Sequence, residues 1–227
     1  MWIDNFRDDV KHLGLAKAGA RAGYKLVNRV VHWDILRFMD LTPESLDPRF
    51  VAPVLPGGYD GRFLSRAEAS ALPEQLGAVL TRGFVETALT KGDAVFAIFD
   101  GATCAAFGWY SRLPTIIRDN LEMRFDPRWV YRYNGYTRPE YRGERLHALG
   151  VARALAAYVE DPAVKGIISI TEATNYRAHA SVRRVGFAFR GTIYRVGIGR
   201  LSIIRQSRSC DAYGVRVNQV TVPKGPA

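Results

Sequence analysis

Residues 136–150, YTRPEYRGERLHALG, join a strand-like lead to a turn holding Gly143 and then to a helix-like run. The chemistry this suggests is anion binding. A helix N-terminus presents N–H groups without intrahelical partners and the positive end of the helix dipole, so it holds phosphate oxygens without a charged side chain. Gly143 lets the backbone approach such an anion closely. One glycine at one strand–helix junction is a weak signal by itself. The second candidate is a proton acceptor. Glu172 ends the strand-like run GIISITE, and in open α/β sheets ligands collect beyond the carboxyl ends of strands. A carboxylate raised in pKa by burial there could take a proton from an amine; the competing reading is an ion pair with a nearby arginine. Trp109 and Tyr110 close an apolar run and read either as core or as the wall of an acceptor pocket.

Metal chemistry is not indicated. His12, His32, His147 and His179 are scattered, and Cys104 and Cys210 give neither a metal-ligand spacing nor a disulfide framework. Two reduced thiols in a cytoplasmic protein are expected. No window of about 18 uncharged apolar residues occurs, so no membrane-spanning helix is expected. MWIDNFRDDVKH carries Asp4, Asp8 and Asp9 before any apolar run and is not a secretory signal. The net charge is +10 and unevenly spread. No acid lies between Glu172 and Asp211, a span holding Arg177, Arg183, Arg184, Arg190, Arg195, Arg200, Arg205 and Arg208. Another acid-free span, between Asp9 and Asp34, holds Lys11, Lys17, Arg21, Lys25 and Arg29. Such fields attract anionic partners, whether nucleic acid, anionic lipid, an acidic carrier protein or a phosphorylated cofactor; a basic surface without a macromolecular partner is the plainer reading.

The elements that must position these residues follow from periodicity. Residues 5–38 read as helical, with Leu26, Val27, Val30, Val31 and Ile35 at helical steps and Lys17, Arg21, Lys25 and Arg29 forming a basic stripe. That stripe suits packing on the chain's own domain or peripheral contact with a membrane surface. The Pro/Gly-rich residues 42–61 read as a linker or long loop. The division expected is therefore a helical extension and linker over 1–58 and a compact domain over 59–227. Within the latter, Ser65 and Glu68 form a capping box, Pro73 opens a second helix, and Gly92 stops it. DAVFAIFDGATCAAFGWYS is a hairpin turning at Asp100-Gly101. WVYRYNGYT is a strand, RLHALGVARALAAYVE a helix, GIISIT a strand and NYRAHASVRRVGF a short helix ending at Gly186. Several β-like runs over 188–221 have no readable pairing. The order gives a mixed α/β layer architecture with a strand–helix–strand crossover.

Two segments in this order, Thr137-Arg138-Pro139-Glu140-Tyr141-Arg142-Gly143 and then Asn175, Ala178, Ser181, Gly186 and Phe187, resemble the Gcn5-related N-acetyltransferase (GNAT) superfamily over roughly residues 63–200. The resemblance implies a central mixed sheet with a splayed parallel strand pair and helices on both faces. It implies an acyltransferase in which an amine attacks the thioester of acetyl-coenzyme A or a longer acyl-coenzyme A, without a metal. Carried over, Tyr136 and Thr137 would face the pantetheine through their backbone. Arg142, Gly143, Glu144, Arg145 and Leu146 would surround the pyrophosphate, and Asn175 would sit beside the pantetheine.

The chain departs from the family pattern twice. Later glycine positions of the loop are filled by Arg145 and His147, so Arg145 either crowds the loop or replaces backbone contacts with a charge-assisted bond. His147, one turn into the helix, reads as a packed or surface histidine. The tyrosine that many members carry seven residues after the asparagine is Val182 here. Tyr133, Tyr136 and Tyr176 are proton-donor candidates by neighbourhood, each also readable as a packing aromatic. Three functions stay open: an acyl-coenzyme A enzyme, an enzyme drawing its acyl group from an acidic acyl carrier protein or aminoacyl-tRNA, and an inactive binding module of the same fold. The acceptor is a small-molecule or amino-acid amine, and a monomer or homodimer is expected.

Overall fold

A computed structural model of the chain describes residues 10–221 apart from 12–13, 29–30, 53 and 199–200. His12, Arg29, Val30, Arg200 and the first nine residues therefore lie outside the described residues. Helix α1 (Leu15–Val27) buries only Ala18. The helical pattern expected to 38 ends earlier. From residue 32 HWDILRFMDL forms strand β1 (His32–Leu41). Beyond residue 58, β2 (Tyr59–Phe63) leads into α2 (Arg66–Leu76) and α3 (Arg82–Lys91).

Local chemistry sets these boundaries. The Ser65–Glu68 capping box is formed, and Gly92 ends α3 in the left-handed region. Pro73 does not start a helix. It lies inside α2, where Ala69, Leu72, Pro73 and Leu76 are all buried, so packing overrides its start preference. Thr81 starts α3 instead, its hydroxyl accepting from the Phe84 N–H. The hairpin β3 (Ala94–Asp100) and β4 (Thr103–Ser111) pairs Asp100 with Thr103, so its turn residues are Gly101 and Ala102. A short hairpin absent from the sequence reading follows: β5 (Thr115–Arg118) and β6 (Leu121–Arg124). Then come β7 (Trp129–Thr137), α4 (Leu146–Tyr158), β8 (Gly166–Glu172) and α5 (Tyr176–Val185). The chain ends in β9 (Ala188–Ile198), β10 (Leu201–Gln206) and β11 (Arg216–Gln219).

The main sheet has the order β10-β9-β1-β8-β7-β4-β3-β2, and β11-β6-β5 form a second, small sheet. All pairs in the main sheet are antiparallel except β7–β8, which are parallel across the α4 crossover. Helices α4 and α5 cover one face, with Leu146, Val151, Leu155, Val182 and Val185 against Met39, Ile98, Val130 and Ile167. Helices α2 and α3 and the small sheet cover the other. Each fully buried leucine or valine in these layers contributes about 1.5–3 kcal/mol.

The division expected at residue 58 does not follow this packing. Strand β1 lies between β8 and β9, hydrogen-bonded to both. Its Leu36 and Phe38 enter one core layer and its Met39 and Leu41 the other, so apolar residues on both faces fix it as an interior strand.

The arginine-rich span is likewise not one basic surface. Arg195 is 1% exposed and bonds Asp34, Asp119 and Asn120, while Arg190 pairs with Asp40 at 2.8 Å. Cys104 and Cys210 are buried free thiols. No helix among the described residues is long and apolar enough to cross a membrane.

Candidate active site

The site begins where β7 and β8 separate. Their pairing runs from Trp129 with Gly166 to Arg132 with Ser169 and stops there, the Ser169 hydroxyl donating to the Arg132 carbonyl at 3.1 Å. Beyond this point the edge of β7 that faces β8 is unpaired, and the strands enclose a gap of about 330 Å³. A β-bulge sits at its mouth. Phe107 pairs with Tyr136 and Trp109 with Tyr133, so Asn134 and Gly135 together oppose Gly108, and Asn134 takes a positive φ of 43°. Tyr133, Glu172 and Asn175 line the gap with Arg132, His147 and Ser181.

A larger cleft of about 680 Å³ adjoins the gap, sharing Gly135, His147 and Ser181 with it. Tyr136, Thr137, Arg142, Gly143, Arg145 and Leu146 line it, joined by Arg49 and Arg184. The turn before α4 has Gly143 at φ 102° and Arg145 at φ 62°, and a Cβ at residue 143 would meet nothing within 4 Å. The helix ladder of α4 opens with the Leu149 N–H on the Arg145 carbonyl at 3.0 Å, so the N–H groups of Leu146, His147 and Ala148 precede it. Arg142, Arg145 and Arg184 are exposed along the cleft, so their charge reinforces the helix dipole. Glu144 is drawn aside, its carboxylate accepting from the Tyr59 hydroxyl, which raises the Tyr59 pKa to about 12.

The proton-transfer candidates are less gathered. The Glu172 carboxylate accepts from Arg118, whose Nε also lies 2.8 Å from Asp34. The Tyr133 hydroxyl donates to Asp93, and burial together with that bond raises its pKa far above the ordinary value. Asp93 also pairs with Lys91 at 3.0 Å. Tyr176 lies apart from gap and cleft. It faces a separate hollow with Arg37 and His179, under the Lys17 ammonium 5.4 Å from its ring. Asn175 caps α5, its side-chain oxygen accepting from the Ala178 N–H at 3.2 Å. Val182 is buried, and Trp109 and Tyr110 are core residues at 0% and 2% exposure.

The sequence reading passed over Arg132 and gave His147 no role. Arg132 Nη2 donates to His147 Nε2 at 2.8 Å. An arginine only donates, so Nε2 accepts and the ring proton sits on Nδ1, which faces Ser181 Oγ at 3.4 Å. Burial and then the neighbouring Arg132 cation push the imidazole pKa down to about 3, so the ring is neutral. The available signal was parity. Val130 and Arg132 share the strand face that α4 covers, which puts a charge at a core position.

No family model matches the chain, and no curated protein matches it. Solved structures do. A GCN5-related N-acetyltransferase from Kribbella flavida superposes with a TM-score of 0.50 at 18% identity, over 79% of this chain and 65% of its own. An acetyltransferase from the GNAT family of Colwellia psychrerythraea superposes with a TM-score of 0.50 at 10% identity, over 78% of this chain and 62% of its own. The chain thus spans less than two thirds of the length of either protein. Mixed sheet, splayed parallel pair and helices on both faces agree with these superpositions, and the chain has the fold of the Gcn5-related N-acetyltransferases.

Proposed function

We propose that the chain is an N-acyltransferase that moves an acyl group from a thioester of coenzyme A to an amine by direct attack. The observation that carries the reading is the end of β7–β8 pairing at Arg132 and Ser169, which opens a gap directly beside the turn that starts α4. The unpaired β7 edge at residues 133–137 offers backbone groups to a pantetheine arm. Gly143 and the N–H groups of Leu146, His147 and Ala148 fit a pyrophosphate, with Arg142, Arg145 and Arg184 supplying charge. Arg145 takes its positive φ in the turn and lines the cleft, so the missing glycines leave room for a side-chain contact rather than closing the loop.

In the reaction the amine nitrogen bonds the thioester carbonyl carbon and gives up a proton, the carbon–sulfur bond breaks, and sulfur leaves as a thiolate that takes up a proton. Holding both partners in the gap supplies much of the rate. Glu172 and Tyr133 line that gap and are the chain's candidates for proton transfer, although each already has a polar partner. The test is calorimetric titration of coenzyme A and acetyl-coenzyme A into wild type and Gly143→Trp. Saturable binding, weakened about tenfold or more in a variant with unchanged circular dichroism, is expected. Absence of binding by the folded wild type would sink the coenzyme A version and leave an acyl carrier protein as donor or an inactive binding module.

A further inference from the structure

Among the described residues, the buried charges are paired with one exception. Asp34, Asp40, Asp93 and Arg195 are each 5% exposed or less, and each has an opposite charge within 3.0 Å. Arg132 is 6% exposed and has no ion-pair partner among the described residues. Its Nε has no hydrogen-bond acceptor. The groups around it do not neutralise it. His147 is an uncharged acceptor of one N–H, and Tyr110 is a buried neutral phenol. A buried guanidinium without an anion is costly to keep, and arginine geometry suits a planar two-oxygen partner.

Its position narrows that partner. Arg132 stands at the closed end of the gap between β7 and β8, and its guanidinium fills the space beside Gly135, where a Cβ would overlap Nη2. Ser181 lines the same gap. Since His147 Nδ1–H points at the Ser181 oxygen, the Ser181 hydroxyl proton is free to be donated into the gap. The gap is thus polar and cationic where Arg132, His147 and Ser181 meet.

Building on the acyl-transfer reading of this gap, we infer that it binds a carboxylate at Arg132 and that one of the two substrates carries it. The source is either the acyl group, as in a thioester of a dicarboxylic acid, or the acceptor, as in an amino acid. The ion pair forms on binding and involves no bond-making step.

The experiment has two arms on the full chain. In the first, succinyl-coenzyme A and butyryl-coenzyme A, which differ by a terminal carboxylate against a methyl, are titrated by calorimetry into wild type and Arg132→Met. In the second, turnover of acetyl-coenzyme A is compared for a mixture of the common amino acids and for the mixture of their amides. A preference of about tenfold or more for the carboxylated member of either pair, lost in Arg132→Met, is expected, and the arm that shows it names the source. Equal behaviour within both pairs overturns the inference while coenzyme A binding still stands. If no coenzyme A compound binds, the coenzyme A reading fails and the carboxylate site is judged alone. A melting temperature raised by succinate, but not by succinamide and not in Arg132→Met, then supports it, and equal melting overturns it. Should Arg132→Met not fold, Gly135→Ala, which displaces the guanidinium, takes its place in every comparison.

Discussion

His147 shows how one side chain ties stability to the site. Its folded pKa of about 3 lies below the ordinary value of 6.5. The unfolded chain therefore takes up the proton first as pH falls. Above the ordinary value the group contributes no pH dependence; from there down toward its folded pKa, stability falls with pH. At pH 5, after allowance for partial exposure, the loss is about 1–2 kcal/mol. Urea unfolding at pH 7.5 and pH 5 should show that loss in wild type and a smaller one in His147→Gln. Equal losses would mean that the imidazole titrates normally in the fold. At this scale the sequence was legible where backbone geometry decides. The Gly143 turn before a helix and the Ser65–Glu68 box depend on residues a few positions apart, and each is formed where it was read. It was illegible where a side chain meets a distant partner. Glu172 finds Arg118, Tyr133 finds Asp93 and Arg132 finds His147, and no local pattern encodes those meetings.

Among the elements, α5 depends on its end as much as on its start. Gly186 closes the helix at φ 114°, and its Cα side faces the backbone of residues 45–47 so closely that a Cβ would overlap the Ser45 carbonyl and lie 2.9 Å from the Asp47 nitrogen. Backbone cannot swing aside as a flexible side chain can. Gly186→Ala is expected to cost about 2–4 kcal/mol through strain and displacement together. Thermal melting checks this; a loss below about 0.5 kcal/mol would show that the loop gives way. Since α5 carries Ser181 into the gap, the same variant should weaken coenzyme A binding more than its stability loss predicts. Strong periodicity made β7, α4, β8 and α5 legible, because each element's pattern matches its burial. The β5–β6 hairpin was missed because its strands are only four residues each. Residues 32–38 were misassigned because apolar steps running on from α1 imitate a helix until the partners on either side are known.

For the molecule as a whole, the decisive fact is that residues before 59 complete the main sheet. Helix α1 and β1 differ sharply in this respect. The helix buries only Ala18, while β1 is paired on both edges and carries Asp34 into the buried network with Arg195 and Arg118. A chain starting at residue 29 should fold with a modestly lower melting temperature, since it loses the Tyr24 hydroxyl that accepts from the Ile35 N–H. A chain starting at residue 42 should be insoluble or unfolded, with β8 and β9 left as open edges. Soluble yield and circular dichroism separate the two. Equal behaviour would show that the sheet closes without β1.

The order in which the strands are made now matters. Asp34 and Arg195 lie 161 residues apart, so β1 cannot be held on both edges until β9 has left the ribosome. During synthesis the β7–α4–β8 unit can collapse early, with a slot beside β8 waiting to be filled. A chain lacking its first strand would offer that slot to any extended peptide. A synthetic copy of residues 31–47 should therefore rescue the truncated chain in trans.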